Sequence, residues 1–412
     1  MVTLSSAENV LKDVYLGVIA DQINTKTNPL FSRIKRSSRN IVGKEVRVVA
    51  PVGINGGIMA GAENSTLPDG VATPYLSFVA PLKNLYGKFE ISDKAIRCSS
   101  SDVNSFVNLL QDGMDSLLKA SIFNLSRMIY GDGSGCLATA TVSSNTITVD
   151  NVDAIVPGMY VDVYNGTTAV ATNILVTDVN KSTKVVTLAQ SASALSIVTG
   201  YKFYVQGSKG NEITGLKGIA SNSTLYGVTR ANYPIMDAKN YTAAETDAFD
   251  EDYVQSIIDD LESAGTSVNF INTSYALKRL YQKYLTIYKK NIEYTTLEDG
   301  MKVLTHFGTP IVPTNHLADG EAYFLNTDDF TFYELGDWRW LEDEAGRILK
   351  QIPTKPAYAA TLCKYTELVC QKPNGVGHVT GLPTSVIEES SSDASAAAGE
   401  GGEGGEGANG AT

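Results

Sequence analysis

The chain has 412 residues, of which 43% are apolar and 19% charged, and its formal net charge is −12. This length supports two or three compact units, each burying its own core, and the composition excludes a disordered or fibrous chain. The acidic balance argues against a protein that coats nucleic acid by releasing counterions from many phosphates.

The charge is unevenly spread. Up to Lys44 the cations Lys12, Lys26, Arg33, Lys35, Arg36, Arg39 and Lys44 outnumber Glu8, Asp13 and Asp21, so segment 1–43 is a basic N-terminal arm. Beyond Ser385 come Glu388, Glu389, Asp393, Glu400, Glu403 and Glu406 with no cation, in a Gly/Ser/Glu-rich tail, 385–412. Its end, "SSSDASAAAGEGGEGGEGANGAT", has no apolar content to fold with, and the tail is expected to be disordered. No apolar run approaches the roughly 20 residues of a membrane helix, and the start lacks a secretory pattern, so folding in a cytoplasm is expected and no membrane partner. Cys98, Cys136, Cys363 and Cys370 form no Cys-x-x-Cys pair and read as buried thiols.

Within the arm, Val10, Leu11, Val14, Tyr15, Val18 and Ile19 recur at helical spacing, and Pro29 predicts a stop near Asn28. Segment 44–99 reads as one long β-hairpin. "KEVRVVAPVG" leads out, a Gly-rich stretch forms a loose tip, and "YLSFVAPLKNLYGKFEIS" returns. So few bulky residues near the tip leave it unable to cover itself, because an isolated two-stranded hairpin is marginal in water. It is either laid on another surface or a disordered surface loop.

Segment 100–135 is predicted to hold one helix that ends before its glycines, capped at Ser100, Ser101 or Asp102, with Val103, Phe106, Leu110, Met114, Leu117, Ser121, Leu125 and Met128 on one face. About 28 residues at roughly 1.5 Å each give a rod near 40 Å long. Gly131, Gly133 and Gly135 follow its last turn, where a left-handed cap favours glycine. A Walker loop needs Gly-Lys-Ser/Thr and a dinucleotide loop needs a strand in front; "GDGSGC" has neither.

From 136 to 208 the chain changes to short β segments. Met159, Val161 and Val163 alternate with Tyr160, Asp162 and Tyr164, and Tyr201, Phe203 and Val205 with Lys202, Tyr204 and Gln206, predicting a small inserted barrel or sandwich. Segment 209–384 then mixes helices and strands in no repeating βαβ series, which makes the whole α+β. Phe249, Tyr253, Ile257 and Leu261 mark one helix, whose Asp250, Glu251 and Asp252 suit the dipole of a first turn. Leu277, Leu280, Tyr281, Tyr284 and Tyr288 mark a second, beside a solvated basic face.

Chemistry is sparse. His306, His316 and His378 have no metal-ligand spacing, no Gly-x-Ser-x-Gly elbow occurs, and no constellation argues for an enzyme, a metal or a cofactor.

The order of parts carries a resemblance. The basic arm, the long hairpin, the helix ending in "YGDGSG", the segment "GLKGI" and the stretch "YFLNTDDFTFYELGDWRW…TLCKYTELVCQKPNGVGHVTGL" together resemble the major capsid proteins of tailed bacteriophages, the Hong Kong 97-type coat fold. The resemblance implies an extended loop at 44–99, a spine helix of a peripheral domain at 100–135, and an axial domain with the rest of the peripheral domain in 209–384. Ala248 to Val369 contains the axial part, and 136–208 is an accessory β insertion. It implies a structural protein that assembles as pentamers and hexamers into a virion shell around double-stranded DNA, built in the host cytoplasm. Portal and scaffolding proteins, and a decoration protein, are the partners implied.

The inter-subunit contacts expected of the loop are Asn55, Gly56, Gly57, Met59, Tyr75, Phe78, Tyr86 and Phe89, and Arg33, Lys35, Arg36 and Arg39 are candidates for an inward face touching scaffold or DNA. Paired carboxylates of a neighbour are the alternative for those four. The arm begins almost at Met1, implying a separate scaffolding protein if one is used, and the absence of lysine between Arg47 and Leu82 makes a lysine–Asn374 cross-link unexpected. Two other functions fit less well: an encapsulin-like shell around a protein cargo, and a surface adhesin using the insertion.

Overall fold

The computed structural model describes residues 29–53, 55–95, 103–288, 294–297, 300–342 and 346–384. The helical pattern before Asn28, Cys98 and the tail 385–412 lie outside the described residues.

One strand organises the body. Ala357–Cys370 is fully buried along most of its second half, as expected for a β-branched and aromatic run covered on both faces. It pairs antiparallel with Lys83–Ser92, Phe330–Glu334, Arg339–Trp340 and Lys350–Gln351, and Lys35–Ser37 joins in parallel beside Phe330–Glu334. The long helix spans Val103–Tyr130, 28 residues. It lies against the strand Lys83–Ser92, and two glycines permit the approach. A Cβ on Gly87 would stand 3.0 Å from Leu117, and one on Gly113 would overlap the ring of Phe89. After Tyr130 the chain takes positive φ at Gly133 (83°) and Gly135 (80°), not at Gly131.

A second sheet has seven strands in the order Lys239–Thr242, Gly377–Thr380, Ala322–Leu325, Phe270–Thr273, Thr309–Pro313, Lys302–His306 and Tyr294–Thr296. The helices Glu251–Ser263 and Tyr275–Tyr288 share a core with it, through Val254, Ile257, Leu261, Leu277, Tyr281 and Leu285. Asp250 caps the first helix, its carboxylate accepting from the Tyr253 amide at 2.8 Å. On the second helix the expected stripe is displaced at its end: Leu285 is buried and Tyr288 is exposed. The span Ala248 to Val369, expected to contain the axial domain, contributes to both sheets, since Phe330–Glu334 and Ala357–Cys370 belong to the six-stranded sheet.

The insertion is a closed barrel of six strands: Val185–Leu188, Thr146–Val149, Cys136–Ser143, Lys202–Val205, Tyr160–Asn165 and Thr168–Asn180. It has its own core around Val161, Val163, Val176 and Phe203. Two residues expected to face outward, Asp162 and Tyr204, are buried. The Asp162 carboxylate is satisfied by the amides of Asn173 and Gly207, both at 2.8 Å, which is what allows a carboxylate inside a small barrel.

The single long hairpin is corrected. Glu45–Pro51 pairs with Tyr75–Pro81, and Ile41–Val42 extends this small sheet, but the return strand breaks at Leu82 and its continuation enters the six-stranded sheet. The buried positions slip phase there, from Leu76, Phe78 and Ala80 to Leu85 and Ile91.

Candidate assembly surfaces

The hairpin has two unlike halves. At its base Val46, Val48, Ala50, Leu76, Phe78 and Ala80 are buried on the chain's own body, so this half has a bed within the subunit, contrary to the sequence expectation. Pairing ends where Val52 donates to the Pro74 carbonyl at 2.9 Å. Past that point the described residues are almost all exposed, with Ile58 and Leu67 each at 85% and Val71 at 51%. These exposed apolar side chains make the loop end a candidate contact surface.

The expected loop contacts fall differently on this frame. Asn55 and Gly56 are exposed at the tip, where the Asn55 carboxamide oxygen accepts from the Gly57 amide at 2.9 Å; Met59 and Tyr75 are exposed as well. Phe78 is buried, with its ring 6.1 Å from that of Tyr226, and Phe89 is half-buried over Gly113 of the same chain. Tyr86 is exposed but belongs to the six-stranded sheet, edge-on to Tyr365 at 6.5 Å. Ile58, Leu67 and Val71 were missed, although isolated apolar residues in a Gly/Ser-rich tip were a legible signal.

Three of the four basic candidates are engaged within the chain. The Arg33 guanidinium lies 5.3 Å from the Phe270 ring centre, Arg36 stands 4.7 Å over Phe31, and Lys35 pairs with Asp328 at 2.8 Å. These groups lie at the surface or half-buried, where such contacts contribute at most about 1 kcal/mol each, and the charges stay available to a partner. Arg39 is exposed.

Where the barrel joins the body, four elements converge. Arg127 of the long helix and Glu212 of the returning segment form a buried two-pronged pair, one prong at 2.9 Å. Asp132 accepts from the amide and hydroxyl of Ser134 at 2.9 and 2.6 Å, and Gly210 donates to the Ser134 carbonyl at 2.8 Å. Lys83 donates to the Gly210 carbonyl at 2.8 Å. Gly215 lies against the carbonyl oxygens of Met128, Ile129 and Gly131, leaving no room for a Cβ. Glu367, on the central strand, accepts from the Thr214 amide at 2.7 Å, and burial pushes its carboxyl up to about 7. "GDGSG" and "GLKGI" thus tie both chain connections of the barrel to the body.

The histidines serve packing. His316 lies between Phe123 and Tyr130, His378 stacks 4.3 Å from Tyr323, and burial lowers both to about 4. His306 bonds Tyr281 and Gln255, both at 2.9 Å. Among the described residues no group of three or more His, Cys, Asp or Glu side chains could hold a metal, and no helix is long and apolar enough to cross a membrane. Cys136, Cys363 and Cys370 are free thiols, and burial raises those of Cys136 and Cys370.

No family model matches the sequence, and no curated protein matches it. Solved structures do. The chain is similar to the capsid of cyanophage A-1(L), at 13% identity over 87% of this chain and 93% of that one, with a TM-score of 0.52. It is also similar to the capsid of Myoviridae phage XM1 (9% identity, 86% and 91% covered, TM-score 0.45) and to the SrpI encapsulin of Synechococcus elongatus PCC 7942 (8%, 88% and 90%, 0.46). With the long helix, the two sheets and the projecting loop, the likeness to the cyanophage capsid places this chain in the class of shell-protein folds. The fold is the Hong Kong 97 type, and residues 136–208 form a closed β-barrel within it.

Proposed function

We propose that this protein is the major capsid protein of a tailed bacteriophage, assembling as pentamers and hexamers into an icosahedral shell around double-stranded DNA. The observation that carries the reading is the loop tip beyond Val52. Its apolar side chains extend from a well-packed body and lie bare in the single subunit. Laying that tip across the next copy buries the apolar surface, and head-to-tail repetition of one unlike contact closes into rings. The work is mechanical and needs no turnover.

An acidic chain suits a container, because a wall that held DNA tightly would resist both packaging and release. Arg33, Lys35, Arg36 and Arg39 are the residues proposed to meet scaffold or DNA through weak, sequence-independent contacts. Scaffolding and portal proteins are the proposed partners during assembly in the host cytoplasm, and the barrel is the proposed seat of contacts to neighbours or to a decoration protein.

The test is electron microscopy of the full-length protein co-expressed with its own genomic neighbours, beside a variant lacking Asn55 to Gly70. Closed shells from the intact chain and soluble, folded, unassembled subunits from the deletion are expected. Normal shells from the deletion refute the role of the tip. Particles that never enclose DNA but hold a protein cargo refute the viral reading in favour of a cargo compartment.

A further inference from the structure

The short hairpin Thr224–Leu225/Val228–Thr229 turns on Tyr226 and Gly227, with φ of 49° and 77°. Two consecutive positive φ values are the pattern of a tight turn that asparagine and glycine fill readily. A bulky aromatic residue in the first position is an outlier, and such backbone persists only where the surroundings over-determine it.

The surroundings of Tyr226 do so from three sides. Its carbonyl accepts from the Val79 amide at 2.9 Å, which ties it to the return strand of the loop hairpin. Its ring lies 6.1 Å from Phe78 of that strand. Its hydroxyl donates to the Leu368 carbonyl at 3.0 Å and accepts from the Cys370 amide at 3.1 Å, both on the central strand of the six-stranded sheet. One buried side chain therefore spans from the loop's own sheet to the body sheet, 142 residues away in sequence.

We infer that Tyr226 is a positioning residue for the loop. It fixes the angle at which the strand pair Glu45–Pro51/Tyr75–Pro81 leaves the body, and so aims the bare tip at the next subunit. The bridge is a property of the single chain, whereas its consequence for shells rests on the capsid reading above.

The experiment is hydrogen–deuterium exchange by mass spectrometry on the full-length unassembled subunit, comparing wild type with Tyr226→Phe and Phe78→Leu. Tyr226→Phe keeps ring and turn but leaves the buried Cys370 amide without its acceptor, so amides of 45–50 and 75–80 should exchange at least about fivefold faster. Barrel amides at 160–165 and 202–205 should keep their wild-type rates. Phe78→Leu trims the ring contact and the core packing that Phe78 shares with the body, and should accelerate the same two segments. Unchanged hairpin rates in Tyr226→Phe overturn the inference, as does acceleration of hairpin and barrel alike. If the hairpin loosens alone while the wild type never builds shells, the bridge stands and the capsid reading falls.

Discussion

Arg127→Ala tests whether the barrel is fixed to the body by the buried pair at its root. Arg127 and Glu212 are 6% and 2% exposed, so removing the guanidinium leaves a carboxylate with almost no water and no counter-charge. Such half-pairs cost about 3–5 kcal/mol, whereas replacing both partners with apolar side chains of similar volume is close to neutral. The remaining imperfection favours the apolar swap, because Arg127 Nε finds no acceptor. Urea unfolding followed by fluorescence is the assay, since both tryptophans, Trp338 and Trp340, are buried in or beside the six-stranded sheet. Arg127→Ala and Glu212→Ala should each lower stability by about 3–5 kcal/mol, and Arg127→Met with Glu212→Leu should return to within about 1 kcal/mol of wild type. A loss below about 1 kcal/mol for Arg127→Ala refutes the argument. Arg127 also helps hold His316 low, so the same variant should move the His316 titration upward by NMR.

Two further outcomes follow from the same joint. A carboxyl whose value is raised on folding binds its proton more tightly in the native state, so Glu367 withdraws stability as pH climbs from about 4.5 through about 7. Glu367→Gln keeps an acceptor for the Thr214 amide without the titration, and the wild-type stability relative to this variant should fall on the order of 3 kcal/mol between pH 4.5 and 7.5. A constant difference across that window would mean that Glu367 ionises freely. Gly215→Ala drives a methyl into three backbone carbonyls and should cost on the order of 1–3 kcal/mol in denaturant unfolding, while Gly158→Ala, with open space around it but a positive φ, should cost about 1 kcal/mol.

Much of the fold was legible because it is locally encoded. The long helix ran its full predicted length since its apolar spacing, and the glycines after it, lie within one stretch of chain. The barrel strands announced themselves by alternation and turns. What escaped was set by distant partners. Nothing near Phe78 says that Tyr226 covers it, nor near Asp162 that the amides of Asn173 and Gly207 will satisfy it. The break at Leu82 was visible as a phase slip but not its meaning, since period 2 reports which face is buried and not which sheet a strand joins. The basic arm looked free because two of its partners, Phe270 and Asp328, lie far along the chain, the latter beside the strand with which Lys35–Ser37 pairs in parallel; only the Arg36–Phe31 contact is local.

By itself the sequence determined the list of parts: an acidic globular chain, a rod of helix, a β insertion between two glycine-rich joints, and a loop too poor in bulky residues to cover its own end. Only the tertiary structure decided which of those parts the subunit covers for itself and which it leaves bare. Local pattern fixes how a segment wants to be buried, but the surface that buries it is assembled from residues elsewhere in the chain.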